Sequence, residues 1–169
     1  MNTPLAQMFR YNRWANLCLL EACRPLSAAL LDGRVAGISG SVRELLLHIA
    51  GGQQTFVLRT LGRQHEGELT RSSAWPGFDA IVAITDHSSD ALIAIAENLE
   101  TDGDVALPWQ GTVYHYPTSF FLVHAFEHGV EHRTEVKVAL AQLGVTTPVL
   151  DGWEFAAFAG YGAVQEPPR

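Results

Sequence analysis

Hydrophobic residues recur every three or four positions in four long stretches of this chain, which is the spacing of amphipathic helices with one buried face. The first stretch begins at Thr3-Pro4, where the threonine can cap a helix and the proline suits its first turn. The second begins with a capping box, Ser41 followed three residues later by Glu44. The four predicted helices are Thr3–Cys23, Ser41–Leu61, Phe78–Leu99 and Pro117–Leu143.

The pattern changes between Thr101 and Tyr116, where two short apolar runs flank Gln110-Gly111 and predict a β-hairpin. The tail from Val149 to Tyr161 is rich in aromatic residues and is expected to pack over the helices as a short helix or turn, and residues 165–169 are expected to fray. No linker or repeat interrupts the chain. We therefore predict a single domain, residues 1–169, with an all-α fold: an antiparallel four-helix bundle with a small hairpin before the last long helix.

The last predicted helix carries three histidines, His124, His128 and His132, each four residues from the next. Residues four apart lie on the same helix face, so adjacent imidazoles can converge on one atom, and the outer pair does so less easily. Neutral ring nitrogens bind borderline divalent metal ions at about 2.0–2.1 Å. A third ligand must then come from another helix, and His48 is the best candidate because it lies on the apolar face of the second helix.

Two alternatives to a metal site remain for these histidines: a buried polar network without metal, and a set of surface histidines. The spacing favours metal because three histidines share one helix face, although a pair four residues apart is common by chance. His65 lies in a polar loop and His87 lies in a polar run, so both are predicted to be solvated.

Two pairs of unfavourable helix residues also leave alternatives open. Asn12 and Asn16 in the first helix are either solvated or form a polar lining for an internal site. Gly51-Gly52 in the second helix costs about 1 kcal/mol per glycine relative to alanine. Either a neighbouring helix or bulky side chain approaches closely there, or the helix is kinked.

The composition fits a globular protein with a substantial core, since 47% of the 169 residues are hydrophobic. No apolar run reaches about 18 residues, so no transmembrane helix is predicted, and no secretory signal is visible. Cys18 and Cys23 fall on different faces of one helix and are expected to be reduced packing residues. These features predict a cytoplasmic location.

The formal net charge is −7, and the ten arginines and one lysine are scattered along the chain. An acidic surface does not favour binding to phosphate backbones. We therefore expect neither a nucleic-acid partner nor a membrane partner.

Three motifs, in the same order along the chain, resemble the DinB-like family, which includes YfiT-type hydrolases and mycothiol-dependent maleylpyruvate isomerases. The resemblance covers nearly the whole chain, and the three motifs together are much more specific than any one alone. The motifs are Tyr11-Asn12-x-Trp14-Ala15-Asn16, Leu46-Leu47-His48-Ile49 and His124-x-x-x-His128-x-x-x-His132-Arg133.

The resemblance implies an up-up-down-down type of bundle, a homodimer, and a metal ion held by His48, His128 and His132. It implies that His124 occupies a frequent position that does not bind the metal. The family usually continues after its last histidine with Arg-Gly-Gln, whereas this chain has Arg-Thr-Glu. Glu135 therefore stands at the glutamine position, which changes the surroundings of the metal and leaves the substrate open.

Three histidine ligands leave a divalent metal ion, zinc, nickel or iron, with an open position where water or a thiol can be activated. Glu131 and Glu135 lie close to a ligand in sequence and are candidates for a catalytic base or for a partner of a ligand histidine. The predicted function is a metal-dependent enzyme, either a hydrolase or a thiol-dependent transferase acting on a small molecule. The alternatives are a metal-binding module without turnover and a structural or interaction bundle.

Overall fold

Six helices and one β-hairpin make up the described part of the chain, residues 3–64 and 67–162 of a computed structural model. The predictions for His65 and for residues 165–169 lie outside the described residues. The elements are α1 (Pro4–Cys23), α2 (Ala28–Leu31), α3 (Val42–Thr60), α4 (Phe78–Asn98), β1 (Asp104–Trp109), β2 (Thr112–Pro117), α5 (Thr118–Gln142) and α6 (Gly152–Phe158).

The helix ends follow the local signals in the sequence. The Thr3 hydroxyl caps α1 by accepting a hydrogen bond from the backbone of Ala6. Ser41 and Glu44 form the predicted capping box at the start of α3. At the end of α5, Gly144 has φ 75°, a left-handed conformation that favours glycine and lets the chain turn away. The four-residue helix α2 was not predicted, because only a capping serine, Ser27, signals it.

Side-chain contacts between the long helices give their relative directions. In α1 and α4 the start of one helix meets the end of the other, and the same holds for α3 and α5, so both pairs are antiparallel. In α1 and α5, residues later in one helix contact residues later in the other, so these helices are parallel. The contacts are Arg10–Glu97 and Arg24–Asp79 for α1 with α4, His48–His132 and Phe56–His124 for α3 with α5, and Tyr11–Phe126 and Asn16–Arg133 for α1 with α5.

Helices α1 and α5 therefore run one way and α3 and α4 the other. This order differs from the up-up-down-down order implied by the resemblance. Because α3 and α4 are parallel, the chain must return along the length of a helix between them. The connection, residues 61–77, is long enough for this, since an extended chain advances about 3.3 Å per residue and a helix only about 1.5 Å. The described residues thus form a mostly helical fold with one two-stranded antiparallel hairpin.

A buried polar layer crosses the interior where α1, α3, α4 and α5 meet. The Arg133 guanidinium donates from Nη1 to the side-chain oxygens of Asn12 and Asn16, and the Asn16 amide donates to Gln53. Gln53 in turn donates to the hydroxyls of Ser88 and Ser89 on α4. The asparagines of α1 are therefore buried network residues, not solvated ones.

The hairpin lies between α4 and α5, as predicted, and turns at Gln110-Gly111. Both turn residues have positive φ, 47° and 80°, as the tight hairpin turns require. Val105 and Leu107 of β1 are buried against Phe121 at the start of α5, so the hairpin is attached to the helices by its own small core. Across residues 3–64 and 67–162, every helix is too short or too polar to span a lipid bilayer.

The pair Gly51-Gly52 in α3 marks two close approaches. A Cβ atom at Gly51 would lie 1.7 Å from the backbone oxygen of Leu69, and one at Gly52 would lie 2.4 Å from Cε1 of His128. The glycines thus let the loop around Leu69 and the imidazole of His128 come within reach of α3. Close approach, the first of the two interpretations, is correct.

We expect the substitution Gly51→Ala to destabilise the protein although alanine is the better helix former. The added methyl group collides with backbone, so the overpacking cost of about 1–3 kcal/mol outweighs the gain in helix propensity of about 1 kcal/mol. Urea denaturation measures the difference in the free energy of unfolding. The control is Gly152→Ala in α6, where no atom lies within 4 Å of the added carbon. A Gly51→Ala variant as stable as wild type would contradict this account.

Candidate metal centre

Three imidazoles from two helices meet at one point, as the sequence predicts. His48 comes from α3, and His128 and His132 come from α5. Each offers a ring nitrogen, and these atoms all lie within 4.8 Å of one another. The Nε2 atoms of His48 and His128 are 3.1 Å apart, and the three ring centroids are 4.4–4.6 Å apart. The three histidines therefore lie close together.

Helix geometry explains why these residues meet. Because α3 and α5 are antiparallel, a step of four residues along α3 matches a step of four back along α5. His48 therefore faces His132, Gly52 faces His128, and Phe56 faces His124. Gly52, which lacks a side chain, leaves room for His128 to lean towards His48.

The surroundings keep two of the imidazoles neutral. Burial lowers the pKa of His48 to about 4, and the positive charge of Arg71 contributes to that decrease. Burial, together with His132 and His48, lowers the pKa of His128 to about 3. Metal binding requires unprotonated ring nitrogens. His48 and His128 therefore offer ring nitrogens that can bind a divalent metal ion at neutral pH without first losing a proton.

Glu135 orients His132 and lies one helical turn from it on α5. Nδ1 of His132 is 2.5 Å from the Glu135 carboxylate, which also accepts hydrogen bonds from the backbone N–H and the hydroxyl of Ser39. Burial opposes ionisation of Glu135, but the hydrogen bonds from His132 and Ser39 prevail and lower its pKa. A proton on Nδ1 of His132 leaves Nε2 free to bind metal. Glu135 is thus placed as a partner of a ligand histidine.

The other candidate residues lie outside the group of three converging ring nitrogens. Glu131 is exposed, and its carboxylate forms no hydrogen bond or ion pair with any described residue. The ring of His124 packs between Phe56 and Phe120, outside the group of converging nitrogens. His87 is exposed on α4, as predicted.

A cavity of about 720 Å³ opens onto the histidines and is within the size range of small-molecule sites. His48, His128 and His124 line it, together with residues of α3, of the loop after α3, and of the hairpin. Sequence reasoning did not assign Arg59, Arg71 or Trp109 to this site. Arg59 lies on the same face of α3 as His48 and could have been found from that spacing, whereas Arg71 and Trp109 reach the cavity only through tertiary packing.

The histidine cluster and the cavity define a helical protein with a candidate metal centre. The chain belongs to the DinB family, whose model matches residues 1–166. It is similar in fold to a DinB-like protein, YjoA, from Bacillus subtilis, known from a crystal structure. That similarity has a TM-score of 0.60 at 19% sequence identity and covers 88% of this chain and 98% of the other. No curated protein matches this sequence.

The metal-free protein is expected to lose stability as the pH falls from 6.5 towards about 4. The folded chain holds His48 and His128 neutral while the unfolded chain protonates them, so the unfolded state binds more protons and is favoured by acid. The contribution is complete above pH 6.5 and is lost progressively down to the lowered pKa values. Melting temperatures measured with a chelator present test this.

The control for this pH dependence is a double variant, His48→Asn with His128→Asn, which retains every carboxylate. Its melting temperature should fall less steeply than that of wild type over the same pH range. Equal slopes for the two proteins would mean that these histidines are not held neutral in the folded state.

Proposed function

We propose that this protein is a metal-dependent enzyme that uses a three-histidine site, acting either as a hydrolase or as a thiol-dependent transferase. The observation that carries the proposal is the convergence of His48, His128 and His132 beside an open cavity. A purely structural cluster would have no need of such a cavity. The metal is zinc, nickel or iron, since imidazole ligands suit all three.

The residues of the site have different roles in this proposal. His48, His128 and His132 hold the metal ion, which when bound supplies a Lewis acid that activates water or a thiol. Glu135 orients His132 through its Nδ1 proton and increases its basicity as a ligand. His124 lines the cavity outside the ligand set, which makes it a better candidate than the exposed Glu131 for moving a proton to or from substrate.

A non-catalytic metal-binding module is the second candidate. It is favoured by the cavity lining, in which no carboxylate from the described residues takes part. The two candidates differ in their behaviour once metal is bound, because only an enzyme would turn over simple esters or amides, or transfer a small thiol.

Metal titration of four proteins tests the ligand set. We expect wild type to retain one divalent ion and His128→Ala to retain none. Glu135→Ala should bind about 10–100 times more weakly because His132 loses its orienting partner. The matched control is His87→Ala, which removes an exposed imidazole and should bind as wild type does. Metal retention by His128→Ala would refute the assignment, and screening the loaded wild type with esters, amides and thiols separates enzyme from module.

We also propose that the chain is a single four-helix-bundle domain that forms a homodimer, as the family resemblance suggests, and that the protein is cytoplasmic. Trp153 and Trp109 are 84% and 57% exposed and would contribute to an interface, whereas Trp75 packs against Phe78 and Arg43 within the chain. Light scattering across a dilution series should give twice the chain mass of 18.5 kDa. A constant mass of 18.5 kDa would contradict the dimer.

A further inference from the structure

A series of hydrogen bonds leads from a ligand histidine to the wall of the cavity. Nδ1 of His132 faces the carboxylate of Glu135, and that carboxylate accepts the hydroxyl proton of Ser39. The Ser39 hydroxyl in turn accepts a hydrogen bond from Arg71, one of the residues that line the cavity. Ser39 lies in the segment before α3, and Arg71 lies in the loop after it, so three separate parts of the chain meet beside Glu135.

Ser39 holds both oxygens of the Glu135 carboxylate. Its backbone N–H donates to Oε1 at 3.1 Å, and its hydroxyl donates to Oε2 at 3.0 Å. A carboxylate held at both oxygens cannot rotate without losing a hydrogen bond, because these bonds weaken steeply when their angles are poor. Oε2 is also the oxygen that lies 2.5 Å from Nδ1 of His132. Ser39 therefore fixes the acceptor that orients this imidazole.

The donor and the acceptor at each step follow from the chemistry of the groups. A guanidinium can only donate, so the Ser39 hydroxyl accepts from Nη1 of Arg71, at 2.8 Å, and its one proton is left for Glu135. Nη1 also donates to the backbone oxygen of Ser39, which holds the whole residue in place. An ionised carboxylate can only accept, so its bond with His132 requires a proton on Nδ1.

Three donors thus converge on one side chain: the backbone N–H of Ser39, its hydroxyl, and Nδ1–H of His132. A carboxylate can accept from all three, since its two oxygens offer about four lone pairs. An amide at this position would turn an NH₂ group towards one of the donors. Ser39 and Glu135 are therefore a matched pair, and together they leave Nε2 of a neutral His132 with a free lone pair.

We propose that Ser39 is a positioning residue of the metal centre, which acts through Glu135 to hold His132 in the tautomer with a proton on Nδ1 and a free Nε2. The effect on metal affinity rests on the proposed metal-dependent function. The effect on the imidazole does not, because it concerns hydrogen bonds within the chain.

Two measurements on Ser39→Ala test the proposal: the tautomer of His132 in the metal-free protein and the affinity for Zn²⁺. Nuclear magnetic resonance of the imidazole nitrogens at about pH 8, where histidine is neutral, reports the tautomer. Wild type should carry the proton on Nδ1, and Ser39→Ala should populate both tautomers. Zn²⁺ should bind Ser39→Ala about three- to tenfold more weakly, as expected for the loss of one hydrogen bond. Ser39→Thr retains both donors and should restore both properties.

A second background shows whether Ser39 acts through Glu135. In a Glu135→Ala protein, the further change Ser39→Ala should leave Zn²⁺ affinity the same, because its target is absent. The matched control is Ser119→Ala at the start of α5. Ser119 also donates from both its backbone N–H and its hydroxyl to one carboxylate, that of Asp102. This control should match wild type in tautomer and in affinity.

The outcomes separate this proposal from the proposed function. An unchanged tautomer or an unchanged Zn²⁺ affinity in Ser39→Ala would overturn the positioning role, and so would an equal loss of affinity in the Glu135→Ala background. If wild type takes up Zn²⁺, the metal centre stands in each of these cases. A tautomer that depends on Ser39 in a protein that binds no divalent ion would leave the effect on His132 standing and refute the metal-dependent function.

Discussion

The close approach of α3 and α5 at Gly52 and His128 is the constraint on which the candidate site depends. An antiparallel pair keeps facing residues in step, so histidines on the two helices can meet only if the helix axes come close enough. A side chain at position 52 would occupy the space that the His128 ring now fills. The geometry of the site therefore explains why this segment of α3 has a low helix propensity. The glycines make the helix less stable but let the imidazoles converge.

The buried polar layer fixes how far the helices are shifted along one another. Arg133 is 3% exposed, and burial lowers its pKa to about 10, yet the asparagine oxygens that accept its hydrogen bonds are neutral. Its Nη2 atom has no partner among the described residues. Sliding α5 by one turn would leave the whole guanidinium without acceptors, at a cost well above that of one lost hydrogen bond. Since His132 is adjacent in sequence, we infer that this layer also fixes the register of the histidines.

Much of the secondary structure follows from local signals, which is why it could be predicted. Thr3, Ser41 and Gly144 cap helices through atoms only a few residues away, and the turn at Gln110-Gly111 depends on those two residues. The histidine cluster was also predictable, because helix periodicity and the family resemblance both point to it. The order of helix directions was not, since it depends on a long connection that carries no signal of its path.

The parts of the site that could not be predicted depend on loops. Whether Glu135 faces solvent or His132 cannot be read from α5 alone, because Ser39 from the segment before α3 helps to fix the carboxylate. Arg71 donates to the same Ser39, so one serine connects the orienting carboxylate of a ligand histidine with a cavity arginine.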